Sequence, residues 1–338
     1  MRYPSGTELP PDLARIERKA VRIEWLSLGY LATAVVLIYF TLGSSQAMKG
    51  AWLEDLLSLA PPIAFLVAAR VRYRAPNARF PFGYHRVVEI SYLTSALALL
   101  FMGLFLIVDS ILKLLGGDHP SIGMVELFGW QVWLGWLMIG ALLWSSVPAV
   151  VLGRIKLKLA AQLHDKVLFA DAQMNKADWM TAAAAIVGIL GIGVGLWWAD
   201  AVAAIVIGAD ILHDGVKYSW AAIRDLLDGR PRRYDEKGSH PVDDDVLRTV
   251  SEAEWVRVAA VRMRDTGHVF DVDVLAVPID DVDLVERCEQ LAQRILELDW
   301  KLQDVIVAPV RELLDAPEDV IVRPARATTG DGPTAGRS

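Results

Sequence analysis

Long apolar runs fill the first two thirds of the chain, separated by short polar stretches, and they stop near residue 228. A helix needs about 20 mostly apolar residues to cross the hydrocarbon core of a bilayer. The runs therefore predict six membrane-spanning helices, at residues 25–42, 52–69, 90–115, 127–152, 168–198 and 199–223. The first 21 residues are polar and charged, so we expect no cleavable signal peptide there.

Beyond residue 228 the pattern changes to short periodic segments that are typical of a soluble domain. Helical spacing and strand-like alternation predict the order αββαβ, with segments at 242–254, 256–264, 269–277, 282–298 and 302–310. The predicted division is a cytoplasmic N-terminal segment (1–23), a six-helix transmembrane domain (24–228), a linker (229–240), an α+β domain (241–322) and a disordered tail (323–338). The fold class is thus an α-helical membrane protein that carries a small cytoplasmic α+β domain.

Basic residues are concentrated on one side of the predicted membrane segment. They precede the first span, or lie between the second and third and between the fourth and fifth: Arg15, Arg18, Lys19, Arg22, Arg70, Arg72, Arg74, Arg79, Arg86, Arg154, Lys156, Lys158 and Lys166. Loops rich in lysine and arginine stay in the cytoplasm. We therefore expect a multi-pass protein of the cell (inner) membrane with both termini in the cytoplasm.

Composition narrows the partners and the chemistry. The formal net charge of -7 argues against nucleic acid as a partner. The one cysteine, Cys288, excludes a disulfide framework and a cysteine-based zinc cluster, and we expect it to be a small apolar residue on a helix. The chain has no metalloprotease or nucleophile-elbow motif, so we expect no enzyme activity and no resident cofactor.

Polar residues on the second span are the first candidates for function, because a carboxylate inside a bilayer is costly. Glu54 and Ser58 are four residues apart and Asp55 and Ser58 three, so each pair shares a helical face. Pro61-Pro62 follows, and we expect it to disturb the helix and free carbonyl oxygens for an ion. The alternative is that Glu54 and Asp55 are solvated at the outer interface.

The fifth span carries a polar stripe of residues spaced by three and four. Its members are Asp171, Met174, Asn175 and Asp178. Asp178 lies well inside the apolar run, whereas Asp171 could be a solvated or capping residue and Met174 could be core packing. Carboxylate, amide and thioether groups from two helices suit a divalent cation, and the same carboxylates bind protons. Competition between metal and proton for one site is the physical basis of an antiporter.

The sixth span has a second polar face. Asp210, His213, Asp214 and Lys217 are again spaced by three and four. Two interpretations stay open for them. They form a proton relay or a second ion-binding layer, or they form a ladder of salt bridges near the cytoplasmic surface.

Several local motifs together resemble the cation diffusion facilitator family over residues 20–312. The sequence opening the third span is similar to the family's aromatic-Gly-x-His-Arg signature, Phe82-Gly83-Tyr84-His85-Arg86. Further matches in order and spacing are Ala170-Asp171 with Asp178, Trp198-Ala199-Asp200-Ala201, and Leu226-Leu227-Asp228. The αββαβ tail also resembles the family's cytoplasmic domain.

The resemblance implies a homodimeric exporter in the lipid bilayer that exchanges a cytoplasmic divalent metal for protons. It implies a tetrahedral site with two ligands from the second span and two from the fifth. Met174 stands where the family has histidine. The usual second-span pair maps onto Glu54 and Ser58 or, in a shifted register, onto Ala51 and Asp55, and neither register reproduces the family pair. The alternative that these departures favour is a non-transporting membrane partner or sensor of the same fold.

Two expectations concern the cytoplasmic part. The resemblance places Arg86 and Asp228 at the positions of a charge interlock that stabilises the dimer, the alternative being two unrelated charges. We expect His240 and His268 to be solvated rather than metal ligands, and the tail to serve dimerisation without a tight structural metal.

Overall fold

A computed structural model describes residues 9–41, 52, 55–116, 123–127, 130–193, 196, 198–313 and 317–323. The chain divides into two compact units. The helical unit comprises Pro11–Arg72 and Val87–Arg224, and the sheet unit takes in Tyr73–Arg86 and the chain from Asp225 onward. Glu54, the loop after the first predicted span and the predicted disordered tail beyond residue 323 lie outside the described residues.

The described part of the apolar region contains six helices of at least three turns. They are α1 (Pro11–Thr41), α2 (Ala60–Val71), α3 (Val87–Gly116), α4 (Leu134–Leu163), α5 (Lys166–Gly193) and α6 (Ala199–Leu226). Among the described residues, three stretches have both the length and the apolar composition to cross a membrane: Pro11–Leu37, Val87–Gly116 and Leu134–Leu163. The count of six spans therefore remains a prediction.

Two helices have bounds that differ from those of the predicted spans. The segment assigned to the N-terminal region is already helical from Pro11, so α1 carries charged residues ahead of its apolar run. The fourth span begins at Leu134 rather than 127, because a hairpin of β1 (Met124–Leu127) and β2 (Trp130–Trp133) precedes it. These strands are rich in β-branched and aromatic residues, which favour extended backbone.

The second span starts differently from its prediction. Asp55, Leu56 and Leu57 are helical, Ser58 and Leu59 form a turn, and α2 then begins. Pro61 and Pro62 fall in its first turn, where their lack of an N–H costs nothing within the helix. The expected disturbance is therefore a turn in front of α2 rather than a distortion inside it, and this turn presents Ser58 at the helix entrance.

Glycines bring α3 and α6 into close contact. A Cβ placed on Gly103 of α3 would lie 2.5 Å from the backbone nitrogen of Leu212. A Cβ on Gly215 of α6 would lie 2.5 Å from the Cα of Leu100. Small residues at such crossings let helix backbones approach closely, as is common between membrane helices.

The sheet unit follows the predicted αββαβ order. Its elements are α7 (Pro241–Ser251), β3 (Val256–Asp265), β4 (Phe270–Pro278), α8 (Leu284–Leu296) and β5 (Leu302–Pro309). A short β6 (Ile321–Val322), which was not predicted, adds to the edge and makes the strand order β5-β4-β3-β6. β3 and β4 form an antiparallel hairpin whose turn holds Gly267 at a φ of 93°, and β5 runs parallel to β4.

The expectation that two histidines are solvated was wrong. His240 and His268 are only 5% and 4% exposed. Their rings pack on aromatic neighbours, His240 at 4.9 Å from Phe270 and His268 at 5.2 Å from Trp300. The apolar faces of the imidazoles explain this burial, and the Nδ1 of His240 also accepts the N–H of Val242 at the start of α7.

Candidate functional site

The turn before α2 and the middle of α5 meet through one hydrogen bond. The Ser58 hydroxyl donates to Asp178 Oδ1 at 2.7 Å. Ser58 is buried and Asp178 is half-buried. Two residues that the sequence singled out on separate spans are therefore neighbours in the helical unit.

Asp55 supplies a second carboxylate on the same segment as Ser58. It is buried, and its Oδ2 has no hydrogen-bond donor among the described residues. Burial contradicts the alternative that Asp55 is solvated at the outer interface. A buried carboxylate with an unused oxygen has a strong demand for a proton or a metal ion.

Tyr30 of α1 is a polar residue in the apolar run that the sequence did not single out, and its hydroxyl ties α1 to α4. The hydroxyl donates to the backbone of α4, at the carbonyl of Ser145 and at 3.1 Å from that of Trp144. A tyrosine in an apolar run is usually packing, so no local pattern marked it.

The polar stripe on α5 divides into two parts. Met174 and Asn175 are buried next to the Asp178 turn. Asp171 is engaged elsewhere, because its Oδ2 lies 2.6 Å from the ammonium of Lys156 on α4. Asp171 is two helical turns from Asp178, about 10 Å along the axis. The structure therefore does not bring Asp171 together with Ser58.

Lys156 also pairs with Glu24 of α1, at 3.0 Å from Oε2. A second buried group lies near the α4–α5 turn, where Arg72 contacts Glu17 and, at 3.3 Å, Asp165. Neither Lys156 nor Arg72 is a surface loop charge, contrary to the way in which they were counted for orientation. Glu17 and Glu24 are seven residues apart and share a helical face, and this spacing could have indicated that both are buried. They were not singled out because both precede the predicted first span.

The polar face of α6 lies apart from the Ser58–Asp178 contact. Asp210 is exposed and pairs with Lys176 of α5 at 3.4 Å. His213 is exposed and Asp214 is half-buried. Lys217 lies over the Tyr218 ring at 5.4 Å. The salt bridge of Asp210 thus joins α6 to α5, and it is not a rung of the ladder predicted within α6.

The described residues contain no group of three or more histidine, cysteine or acidic side chains that could hold a metal ion. The Ser58–Asp178 contact holds a hydroxyl and a carboxylate, and the Asp55 carboxylate and the Asn175 amide each lie three residues away along the same two segments. In addition, Pro61 has no N–H to give to the carbonyl oxygen of Leu57 four residues earlier. Such oxygen donors suit a hard or intermediate divalent cation.

In the sheet unit, Arg86 forms an ion pair with Asp228 and also donates to the Leu226 carbonyl at 3.4 Å. Both side chains are more than a third exposed. An exposed pair of this kind contributes about 0–1 kcal/mol. The two residues singled out by the resemblance are therefore in contact within one chain, while the dimer role stays a prediction.

Apolar helices that enclose buried carboxylates and a hydroxyl are the mark of membrane proteins that handle cations. Residues 23–227 match the cation efflux transmembrane domain. The chain belongs to the cation efflux family, which confirms the resemblance to cation diffusion facilitator transporters.

Several curated proteins are similar over most of their length. MamV of Paramagnetospirillum magneticum is 25% identical over 284 residues, covering 81% of this chain and 77% of MamV. The uncharacterized transporter YdbO of Bacillus subtilis is 23% identical, over 79% of this chain and 86% of YdbO. The manganese efflux system protein MneS of the same species is 22% identical, over 75% of this chain and 81% of MneS.

Proposed function

We propose that this protein exports a divalent transition-metal cation from the cytoplasm in exchange for protons. The observation that carries the proposal is the Ser58–Asp178 hydrogen bond, which joins the second-span segment to α5. Asp55, Ser58 and Asp178 are the proposed core of the cation site, with Met174 and Asn175 beside them. Glu54, next to Asp55 in the sequence, is a further candidate ligand.

Manganese is the first cation to test. The donor set is rich in oxygen and contains no histidine at the position of Met174, which disfavours a standard zinc site. The similarity to the manganese efflux protein MneS points in the same direction. The metal is the substrate of the protein rather than a resident cofactor.

Proton exchange follows from the chemistry of the same carboxylates. Asp55 and Asp178 can each bind a proton or contribute a negative oxygen to a cation, but not both at once. Loading one ion therefore releases the other. Six spans, cytoplasmic termini, an inner-membrane location and assembly as a homodimer belong to the same proposal.

The test is transport by the purified protein reconstituted in lipid vesicles, with manganese flux measured against an imposed pH gradient. Asp178→Asn keeps the side-chain volume and removes the charge, and we expect a loss of flux of more than about tenfold. Asp109→Asn is the matched control, since Asp109 lies on α3 in a partly exposed pair with Lys113. Flux in Asp178→Asn equal to the parent would contradict the site assignment.

The alternative function predicts a different result in the same vesicles. A non-transporting partner or sensor would show no flux of manganese, zinc or cobalt in the parent protein. The departures from the family ligands at Met174 and Ser58 are what favour this alternative.

A further inference from the structure

Three charged side chains from three helices meet in the interior of the helical unit. The Lys156 ammonium of α4 lies 3.0 Å from Glu24 Oε2 of α1 and 2.6 Å from Asp171 Oδ2 of α5. The Lys156 and Glu24 side chains are fully buried, and that of Asp171 is 2% exposed. Both carboxylate oxygens are within 3.0 Å of one nitrogen, so they are less than 6 Å from each other.

The charges of this group do not balance. Two carboxylates face one ammonium in an environment of low dielectric, where an uncompensated charge is costly. The second oxygen of Glu24, Oε1, has no hydrogen-bond donor among the described residues. Arg72, which follows α2, does not supply the missing charge, because it is bound to Glu17 and Asp165. The pair Glu24/Asp171 thus retains a demand for positive charge.

The position of the group relates it to the Ser58–Asp178 region. Asp171 precedes Asn175 by one turn of α5 and Asp178 by two, toward the end of α5 that is predicted to be cytoplasmic. Gly153 of α4 brings the two helices close here, since a Cβ on it would lie 3.1 Å from the Cβ of Asn175. A cation that travels along α5 from that end reaches the Glu24/Asp171 pair about 10 Å before Asp178.

We propose that Glu24 and Asp171 form a second divalent-cation site, in which the Lys156 ammonium is a built-in competitor of the transported ion. Lys156 fills the site when no cation is present and is displaced when a divalent cation enters. The proposal that this site binds a cation depends only on Glu24, Asp171 and Lys156. The proposal that the site lies on the transport route rests on the proposed function. Two carboxylates and a flexible ammonium give a site that binds weakly enough to pass the ion on.

A purely structural triad makes the opposite prediction. Its only role would be to hold α1 against α4 and α5, and removal of the lysine would then create no affinity for metal. Lys156→Met keeps the length of the side chain and removes the competing charge, so it separates the two possibilities.

The experiment measures binding of manganese(II) alone to full-length protein in detergent, from the loss of the electron paramagnetic resonance signal of free manganese. All variants carry Asp178→Asn, so that the first site cannot contribute. We expect Lys156→Met to bind manganese at the Glu24/Asp171 pair with an affinity at least about tenfold above that of the Asp178→Asn parent. Adding Glu24→Gln should abolish this gain, and the control Lys113→Met, which frees the partly exposed Asp109, should show none.

Removal of the lysine leaves two buried carboxylates, so the variant must also be followed by its unfolding temperature. Manganese should raise that temperature, or the folded fraction, in Lys156→Met but not in the neutral variant Glu24→Gln/Lys156→Met/Asp171→Asn. If Lys156→Met shows no gain in manganese affinity and no stabilisation by manganese, the proposal of a second site is overturned. Because Asp178 is already replaced, a failure of the proposed transport site would leave this result unaffected.

Discussion

The contact between α3 and α6 makes a sharp prediction at Gly103. A Cβ at this position would lie 2.5 Å from the backbone nitrogen and 2.7 Å from the Cα of Leu212. Carbon atoms in ordinary contact are about 3.5–4.0 Å apart. The Cβ added by Gly103→Ala is therefore about 1 Å too close to Leu212. The atoms it meets belong to the backbone, which cannot move aside by a rotamer change.

The expected cost is set by two opposing effects. Forcing an extra methyl group into a packed contact costs about 1–3 kcal/mol. Replacing glycine by alanine in a helix returns up to about 1 kcal/mol. We expect a net loss of about 1–2 kcal/mol from the free energy of unfolding, because the helices must separate along their crossing.

The measurement is unfolding of the purified protein in detergent, followed by circular dichroism with heat or added denaturing detergent. Gly140→Ala is the matched control, because Gly140 is an exposed residue of α4 and a Cβ there has nothing within 4 Å. The control should be as stable as the parent or slightly more so. Equal stability of Gly103→Ala and Gly140→Ala would refute the close crossing of α3 and α6.

Two further predictions concern a buried arginine of the helical unit and a carboxylate of the sheet unit. Arg72→Met leaves Glu17 and Asp165 buried without their counter-charge, so we expect a loss of about 3–5 kcal/mol in unfolding experiments. Arg74→Met, at an exposed position, should cost little, and equal losses would contradict this assignment. In the sheet unit, burial raises the pKa of Asp271, while Arg264 at 3.0 Å opposes the rise. The Asp271 carboxyl therefore holds its proton more tightly in the folded state than in the unfolded state, where its pKa is about 3.9. Protonation of Asp271 thus stabilises the folded state at low pH, and this stabilisation is lost as the pH rises from the unfolded-state pKa through the folded-state pKa. In the full-length parent, protection of the β3–β4 amides against hydrogen exchange should fall over that pH interval. It should fall less in Asp271→Asn, and an equal pH dependence in both proteins would contradict the role of Asp271.

Much of the architecture could be predicted because local patterns carry it. Helical periodicity and alternation placed the elements of the αββαβ tail within a few residues of α7, β3, β4, α8 and β5. The short β6 was missed because two residues have no period, and its pairing with β3 depends on a partner remote in sequence. The hairpin before α4 was missed because its apolar residues extended the apparent span.

The candidate site was predictable only in part. Ser58 and Asp178 stood out because polar groups in an apolar run are costly, and their hydrogen bond was consistent with that reasoning. Tyr30 and Glu24 did not stand out, because a tyrosine is ordinary in an apolar helix and Glu24 precedes the predicted span. Lys156 was counted as a loop charge, since a run of basic residues gives no indication that one of them is buried.

The sequence by itself determined the apolar runs, the order of elements in the tail, the polar stripe of α5 and the family. These features depend on periods of two and 3.6 residues, on spacing along one segment and on short motifs, all of which are local. Only the tertiary structure decided that Asp178 faces Ser58 while Asp171 faces Lys156 and Glu24. The helical period fixes which residues share a face, but it does not fix which helix packs against that face. The neighbouring helix changes within one or two turns, and it determines whether a carboxylate pairs with an internal lysine or stays available to bind a cation.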